Sequence, residues 1–467
     1  MASDQCSGGL AGRQRIALVG LWAKGAAEAA ACGAGGVGRV AMTAPPLPGA
    51  PHLARRGDRL EFDGHSLDAL AHEHGTPLYV YSRAAMLAAL AAYTDALAGR
   101  RHLLCYAVKA NPSLAVLQTF ARAGCGFDIV SVGELERVLA AGGDAKKTVF
   151  SGVGKRPDEM RRALEVGVKC FNVESLGELL MLSEEARAMG VRAPVSLRIN
   201  PDVNAKTHPY ISTGLKGNKF GIAHGEALVA YREAARMPGI DVVGIDCHIG
   251  SQITEVGPYV DALERLLDLI EAIERENIAI RHLDLGGGLG ITYTDEAPPD
   301  AGVLIGQLLS RLDARGHGKR ELLFEPGRSL VGNAGVLLTE VLVTKQGAQK
   351  NFCIVDAAMN DLLRPALYQA TMAIVPCIQR KGAALTYDVV GPVCESGDWL
   401  GKERTLAVLP GDRLAVLSAG AYAMAMASNY NSRPRAAELM LDGKDVHVIR
   451  KRENVRELFA DERLIPG

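Results

Sequence analysis

Short apolar runs, each ended by a polar or glycine-bearing turn and followed by an amphipathic stretch, repeat along the chain from about residue 103. Eight such runs stand out: LLCYAVKA (103–110), CGFDIVS (125–131), KKTVFSG (146–152), KCFNVES (169–175), PVSLRIN (194–200), DVVGIDCHIGS (241–251), IRHLDLGGG (280–288) and ELLFEPGRS (321–329). The first five follow one another at roughly 20–25 residues, about one βα unit each. They lack strict alternation, which suits strands buried on both faces. Ser131 with Glu134, and Ser175 with Glu178, spell S-x-x-E directly after a strand-like run, so each predicts a capping box opening a helix. The stretch YVDALERLLDLIEAIERE (259–276) gathers apolar residues on one face and charges on the other. Eight βα units closing on themselves predict an α/β fold, a (β/α)8 barrel of the TIM type. A doubly wound open sheet is the rival, and the regularity of eight units favours closure.

After about residue 335 the texture changes. GVLLTEVLVT (335–344), NFCIVDAA (351–358), ALTYDVVG (384–391) and DRLAVLSAG (412–420) are separated by turns with little helical periodicity, which predicts a second, mainly β domain. The expected organisation is a barrel over 76–335 and a C-terminal β domain over 336–467. A segment over 42–75, with the strand-like RLEFDG (59–64), is expected to pack with the β domain. Residues 1–41 are Ala- and Gly-rich. Arg13 and Arg15 before a short apolar run invite a signal-peptide reading, but Lys24 and Glu28 interrupt that run. GAGGVG (33–38) lacks the following helix and acidic residue that a dinucleotide loop needs. The segment is therefore expected to be a disordered tail, or the product of a start codon placed upstream of Met42.

Composition narrows the function classes. A length of 467 residues suits two domains, and 48% hydrophobic with 22% charged residues is that of a soluble globular chain. A net charge of -1 gives no global basic footprint for nucleic acid or a membrane surface. No apolar run approaches the ~20 residues of a transmembrane helix. None of the nine cysteines forms CxxC, so no zinc site is expected, and several sit in apolar runs as small hydrophobes. The expectation is a reduced, cytoplasmic protein.

Barrel active sites lie at the C-terminal ends of the strands. The polar residues that end these runs fall there repeatedly: Lys109, Asp128, Ser131, Arg198, His248, Ser251, Gly286–Gly288, Glu325 and Arg328. Each also has a purely structural reading. Lys109 fits a surface lysine snorkelling past a strand end. It also fits a desolvated lysine of lowered pKa whose free amine forms an imine. His248 fits a hydrogen-bonded core histidine, with Gly250 and Ser251 allowing close approach of a ligand. Gly286, Gly287 and Gly288 fit a tight turn, or a run of N–H groups where barrels bind phosphate. Glu325 and Arg328 fit a surface ion pair, or a carboxylate facing a heterocyclic nitrogen beside a phosphate loop.

YAVKAN around Lys109, HIGSQ (248–252), DLGGGLG (284–290), EPGRS (325–329), RPALY (364–368), CESGD (394–398) and GAYAMAMASNYNSRPR (420–435) together resemble the bacterial diaminopimelate decarboxylases. The resemblance spans roughly residues 55–460 and leaves the N-terminal ~41 outside. These enzymes belong to the pyridoxal phosphate (PLP) dependent group with the alanine-racemase-like fold, a barrel followed by a β domain. The resemblance implies PLP as cofactor, with Lys109 as its Schiff-base lysine, His248 stacked on its ring and Glu325 at the pyridine nitrogen. Ser251, Gly286, Gly287, Gly288, Gly327, Arg328 and Tyr422 would surround the phosphate and cofactor, with Asp128 and Arg198 supporting. Arg328, Arg364, Tyr368, Glu395 and Tyr422 would contact the amino acid. Diaminopimelate has an amino-acid group at each end, so a distal carboxylate wants a guanidinium and a distal ammonium wants a carboxylate. Arg364 and Glu395 fit that pair. By resemblance, Cys394 and Glu395 reach the site from the partner subunit of a homodimer, and Lys109 or Cys394 returns the proton after CO2 loss.

The implied reaction is decarboxylation of meso-2,6-diaminopimelate to L-lysine, the last step of bacterial lysine biosynthesis. Rivals of the same fold act on ornithine, arginine or carboxynorspermidine. Relatives acting on ornithine need no arginine for a distal carboxylate and typically carry Asp where CESGD has Glu395. A non-catalytic PLP-binding protein would tend to lack the lysine, Cys–Glu and arginine set, which is intact here. A racemase shares the barrel, but EPGR and CESGD resemble the decarboxylases.

Overall fold

The computed structural model describes residues 46–204, 213–214 and 218–467. The expectations for residues 1–41 lie outside the described residues.

Eight parallel strands close into a barrel: His102–Ala107, Gly126–Ile129, Thr148–Phe150, Cys170–Val173, Ala193–Asn200, Ile240–Asp246, His282–Asp284 and Glu321–Phe324. Each falls in one of the eight apolar runs, and the eighth pairs back onto the first, Leu322 beside His102. Closure removes the open-sheet alternative. The helices start where the capping signals stand. Ser131 Oγ accepts from Glu134 N–H at the head of Val132–Ala140, and Ser175 Oγ from Glu178 N–H at the head of Leu176–Ala188. The return arm of each box lands one residue earlier than the usual pattern, on Val130 N–H and Glu174 N–H. The long amphipathic stretch is the helix Gly257–Arg275, whose leucines and isoleucines are buried.

A second sheet is built from Gly335–Gln346, Asn351–Val355, Leu385–Val390, Trp399–Leu406, Arg413–Val416, Ala437–Asp442 and Asp445–Arg450. One strand comes from before the barrel. Leu78–Ser82 pairs antiparallel with Gly335–Gln346 and parallel with Ala437–Asp442, so the first barrel strand begins only at His102. All five of its residues are buried. The span 76–335 expected for the barrel therefore includes one strand of the second sheet, which lies ahead of the first of the eight apolar runs. Ahead of it, Leu53–Arg56, Arg59–Phe62 and His65–Ser66 form a small three-stranded sheet. Its Leu53, Leu60 and Phe62 share an apolar cluster with Val336, Leu338, Leu417 and Leu439.

Candidate active site

The C-terminal strand ends of the barrel surround a cavity of about 170 Å3. Its walls are Ala107, Lys109, Thr213, His248, Ser251, Gly288, Glu325, Gly327, Arg328, Arg364, Tyr368 and Tyr422. All but Ala107 and Thr213 are residues that the sequence singles out, so the fold brings most of the expected site together. Asp128 and Arg198 do not line it; Asp128 contacts Lys109, and Arg198 pairs with Glu174 and Asp246.

Lys109 lies in a single 3-10 turn, Val108–Ala110, directly after the first strand. Its Nζ sits 2.5 Å from Asp128 Oδ2 at the end of the second strand. Burial pushes the amine's pKa down, yet Asp128, Tyr422 and Glu325 together outweigh it and leave the pKa above the usual lysine range. The desolvated-lysine reading asks for a lowered pKa; here the Asp128 carboxylate, which has no exposed surface, turns the shift upward.

Carboxyl groups make the barrel floor. Glu325 accepts from Asn172 Nδ2 at 3.1 Å and Ser151 Oγ at 3.4 Å. Single carboxylate oxygens of Asp246, Asp284 and Glu325 lie within 4.8 Å of one another. Burial raises Glu325 well above the carboxylate range, and Asp128, Asp284 and Asp246 add to the effect. Such an acid is short of a cation. Arg198 supplies one deeper down, 3.0 Å from Glu174 and 3.9 Å from Asp246. Glu174 also receives Gly152 N–H and Gly221 N–H, so it ties three barrel loops together.

The opposite wall is cationic. Arg328 donates to Tyr293 Oη and to Ser251 Oγ, 2.8 Å away, and its guanidinium lies 4.8 Å from the Tyr422 ring centre. Tyr422 itself has φ +53°, a left-handed conformation rare for a bulky residue, fixed by its N–H to Ala110 O at 2.8 Å. Arg364 opens the helix Arg364–Tyr368 and lies beside the Tyr293 and Tyr368 rings at 5.2 and 5.5 Å. Burial lowers its pKa. Nε of both arginines is buried without a hydrogen-bond partner, and among the described residues neither forms an ion pair with an acid.

The glycine run behaves differently from a simple phosphate loop. Gly286 N–H donates to Asp284 Oδ1 and Gly287 N–H to His248 Nδ1. A Cβ at Gly286, Gly287 or Gly288 would stand 2.4, 2.2 or 2.3 Å from the carbonyl oxygens of Cys247, Glu325 or Gly250. These glycines first let neighbouring loops approach, and only Gly288 of the three lines the cavity. The bond from Gly287 assigns the His248 proton to Nε2, and burial, Arg198 and Lys109 keep the ring neutral.

Cys394 and Glu395 are not brought to this cavity. Cys394 is exposed, its N–H on Asn431 Oδ1, and the Tyr430 hydroxyl donates to Glu395. Sequence reasoning missed Tyr293, Asn172, Ser151, Glu174, Asp246 and Asp284. Asp284 stands inside the DLGGGLG motif, and Asp246 two residues before His248, so position relative to a motif is their one signal. The six other described cysteines are free and buried.

The fit of this cavity to PLP rests on its own chemistry. An aldehyde needs an amine, and Lys109 offers one. A protonated pyridine nitrogen is the cation that Glu325 lacks. A phosphate or carboxylate is the anion that the two arginines lack. The three demands occupy different walls of one cavity.

Comparison with known proteins agrees. Residues 83–332 match the family model "Pyridoxal-dependent decarboxylase, pyridoxal binding domain". Diaminopimelate decarboxylase of Pseudomonas aeruginosa is 59% identical over 412 residues, covering 88% of this chain and 98% of the relative. That of Vibrio cholerae is 58% identical, covering 85% and 95%. Among solved structures, diaminopimelate decarboxylase from Helicobacter pylori complexed with L-lysine superposes with a TM-score of 0.81 at 41% identity, covering 85% and 98%. The enzyme from M. jannaschii in co-complex with L-lysine gives 0.85 at 38%, covering 90% and 99%. With such identity sustained almost end to end, and a cavity whose walls ask for this cofactor, the chain belongs to the diaminopimelate decarboxylase family of pyridoxal-dependent decarboxylases.

Proposed function

We propose that the protein decarboxylates meso-2,6-diaminopimelate to L-lysine and CO2, with PLP anchored at Lys109, as the last step of bacterial lysine biosynthesis. The observation that carries the substrate is the buried pair Arg328 and Arg364, which has no acidic partner among the described residues. A substrate with a second carboxylate completes it, whereas ornithine and arginine carry no such group.

Bound PLP supplies an aldehyde that captures amines and a ring that withdraws the electron pair left behind when CO2 departs. The chain's residues do the rest. Lys109 Nζ would be the anchoring amine, with Asp128 Oδ2 held against it. Glu325 would hold the proton at the ring nitrogen, and neutral His248 would face the ring. Ser251, Gly288 and Arg328 would receive the phosphate, with Gly327 and Tyr422 beside them in the cavity wall. Arg364 and Tyr368, with Arg328, orient the distal carboxylate. The bond from the reacting carbon to its carboxylate breaks, CO2 leaves, and Lys109 Nζ or Cys394 Sγ returns a proton to that carbon.

Glu395 is the carboxylate for the distal ammonium. Neither it nor Cys394 lines the cavity of its own chain, which supports a homodimer in which each subunit completes the other's site. The seven described cysteines are free, which supports the cytoplasm as location. No helix among the described residues is long and apolar enough to cross a membrane. The test is purified protein with PLP and meso-diaminopimelate, monitored for L-lysine and CO2 beside ornithine and arginine. Faster turnover of ornithine or arginine overturns the reading.

A further inference from the structure

Two buried guanidiniums stand together in the cavity with no acid among the described residues to hold them, and something must keep them in place. Tyr293, which is 3% exposed, is a side chain that touches both. Its hydroxyl accepts from Arg328 Nη1, and its ring lies 5.2 Å from the Arg364 guanidinium and 5.9 Å from that of Arg328.

The ring's own position is fixed from several sides. Tyr293 N–H donates to Glu296 Oε2 at 2.9 Å, and its carbonyl accepts from Ala373 N–H at 3.2 Å. The neighbouring Thr292 carbonyl accepts from Asn333 Nδ2 at 2.8 Å and Ser418 Oγ at 3.0 Å. Tyr293 therefore hangs from the loop after the seventh barrel strand while being braced by residues that belong to the second sheet and its connections.

The chemistry of the contact matters. A carboxylate at this point would hold the arginines and also neutralise them, leaving nothing for a ligand anion. A phenol offers one neutral acceptor and one electron-rich face, so it orients two cations and leaves their charge available. Resting on the reading of this cavity as the seat of a diamine with two carboxylates, we propose that Tyr293 is a positioning residue that sets Arg328 and Arg364 for the distal carboxylate and so helps select a substrate that has one.

The product separates this role from a merely structural one. L-lysine keeps the distal carboxylate, and cadaverine is the same diamine without it. Calorimetric titration of the PLP-loaded enzyme with each ligand reads the arginine pair alone. Tyr293→Phe keeps the ring and removes the acceptor, so L-lysine affinity is expected to fall about tenfold while cadaverine affinity stays within about twofold. Tyr293→Leu removes the face as well and is expected to weaken L-lysine further. Unchanged L-lysine affinity in Tyr293→Phe, or an equal loss for cadaverine, overturns the proposal. The near-isosteric Phe variant decides the matter if the Leu variant does not fold. Wild-type enzyme that binds L-lysine no more tightly than cadaverine would overturn the two-carboxylate reading of the cavity, and this inference with it.

Discussion

Two buried arginines in this barrel should respond to the same substitution in opposite ways. Arg364 is 5% exposed and Arg198 8% exposed. Arg198 is paired with Glu174 at 3.0 Å and Asp246 at 3.9 Å, whereas the neighbours of the Arg364 guanidinium are tyrosine rings. Replacing Arg198 by Met strands two buried carboxylates, which costs about 3–5 kcal/mol. Replacing Arg364 by Met instead removes a charge whose desolvation no described acid offsets in the free protein. The cation–π attraction that disappears with it is worth up to ~2 kcal/mol, while relief of an effective desolvation penalty of several kcal/mol acts in the other direction. Arg364→Met is therefore expected to melt no lower than wild type, and Arg198→Met clearly lower, with ligand-free protein compared in one scan. Activity should move the other way for Arg364. Truncating one partner of a buried charge pair costs about 2–5 kcal/mol, which is a fall in kcat/KM for diaminopimelate of about 30-fold to several thousand-fold at 1.4 kcal/mol per tenfold. A drop in melting temperature for Arg364→Met as large as that for Arg198→Met would refute the argument, since Arg364 would then have a stabilising partner. So would kcat/KM within about twofold of wild type.

Lys109→Ala is expected to abolish turnover and to leave no PLP attached after borohydride reduction; label found at another lysine would remove Lys109 as the anchor. Glu395→Ala is expected to lose about 100-fold or more in kcat/KM, as when a buried charge partner disappears. Mixing Glu395→Ala with Lys109→Ala subunits should then restore up to about a quarter of wild-type sites if the two residues serve one site from two chains, and a mixture as inactive as its parts would rule out sharing. His282, 2% exposed, has its pKa pushed down to about 3 by burial and then by Lys169 and Arg281. The unfolded chain takes up this proton near pH 6.5 and the folded one does not, so the stability is present above pH 6.5 and is lost as pH falls toward 3, by up to about 1.4 kcal/mol per pH unit. Urea titrations across that range should show a flatter dependence for His282→Gln, and identical slopes would exclude His282 as the source.

The eight barrel strands were legible because a parallel strand covered by helices is a dense apolar run whatever its partners. Leu78–Ser82 lies ahead of those runs and is equally buried, and its place in the second sheet depends on pairing with residues more than 250 positions away. The polar residues that end the strands were legible for a related reason: they interrupt an apolar run. Asn172, Glu174, Asp246 and Asp284 also interrupt runs, but which of them faces the barrel axis depends on register. Tyr293 offered no such signal, because an aromatic residue in a loop is ordinary until the two arginines, 35 and 71 residues further along the chain, are seen around it. Local sequence read the Lys109 environment only halfway: the apolar neighbours were visible and the carboxylate arriving from the second strand was not.

That carboxylate sharpens the logic of the whole cavity. The floor gathers Asp128, Asp246, Asp284 and Glu325 against the buried guanidinium of Arg198 and the ammonium of Lys109, and burial with mutual repulsion raises Asp246, Asp284 and Glu325 above the carboxylate range. The rim gathers Arg328 and Arg364 with no acid among the described residues. Each half carries an excess of one charge that is costly to bury. A ligand positive at one end and negative at the other relieves both halves at once. A protonated pyridine facing the floor, with phosphate and carboxylate facing the rim, would have that polarity and would gain binding energy from both halves. It also follows that neutralising floor and rim separately should not be additive in cofactor affinity. A Glu325→Gln, Arg328→Gln double variant should lose less than the sum of its singles, because each single removes part of the field that the other end works against. Strict additivity in PLP affinity, read by fluorescence titration of the four proteins, would mean that the two ends do not share one field.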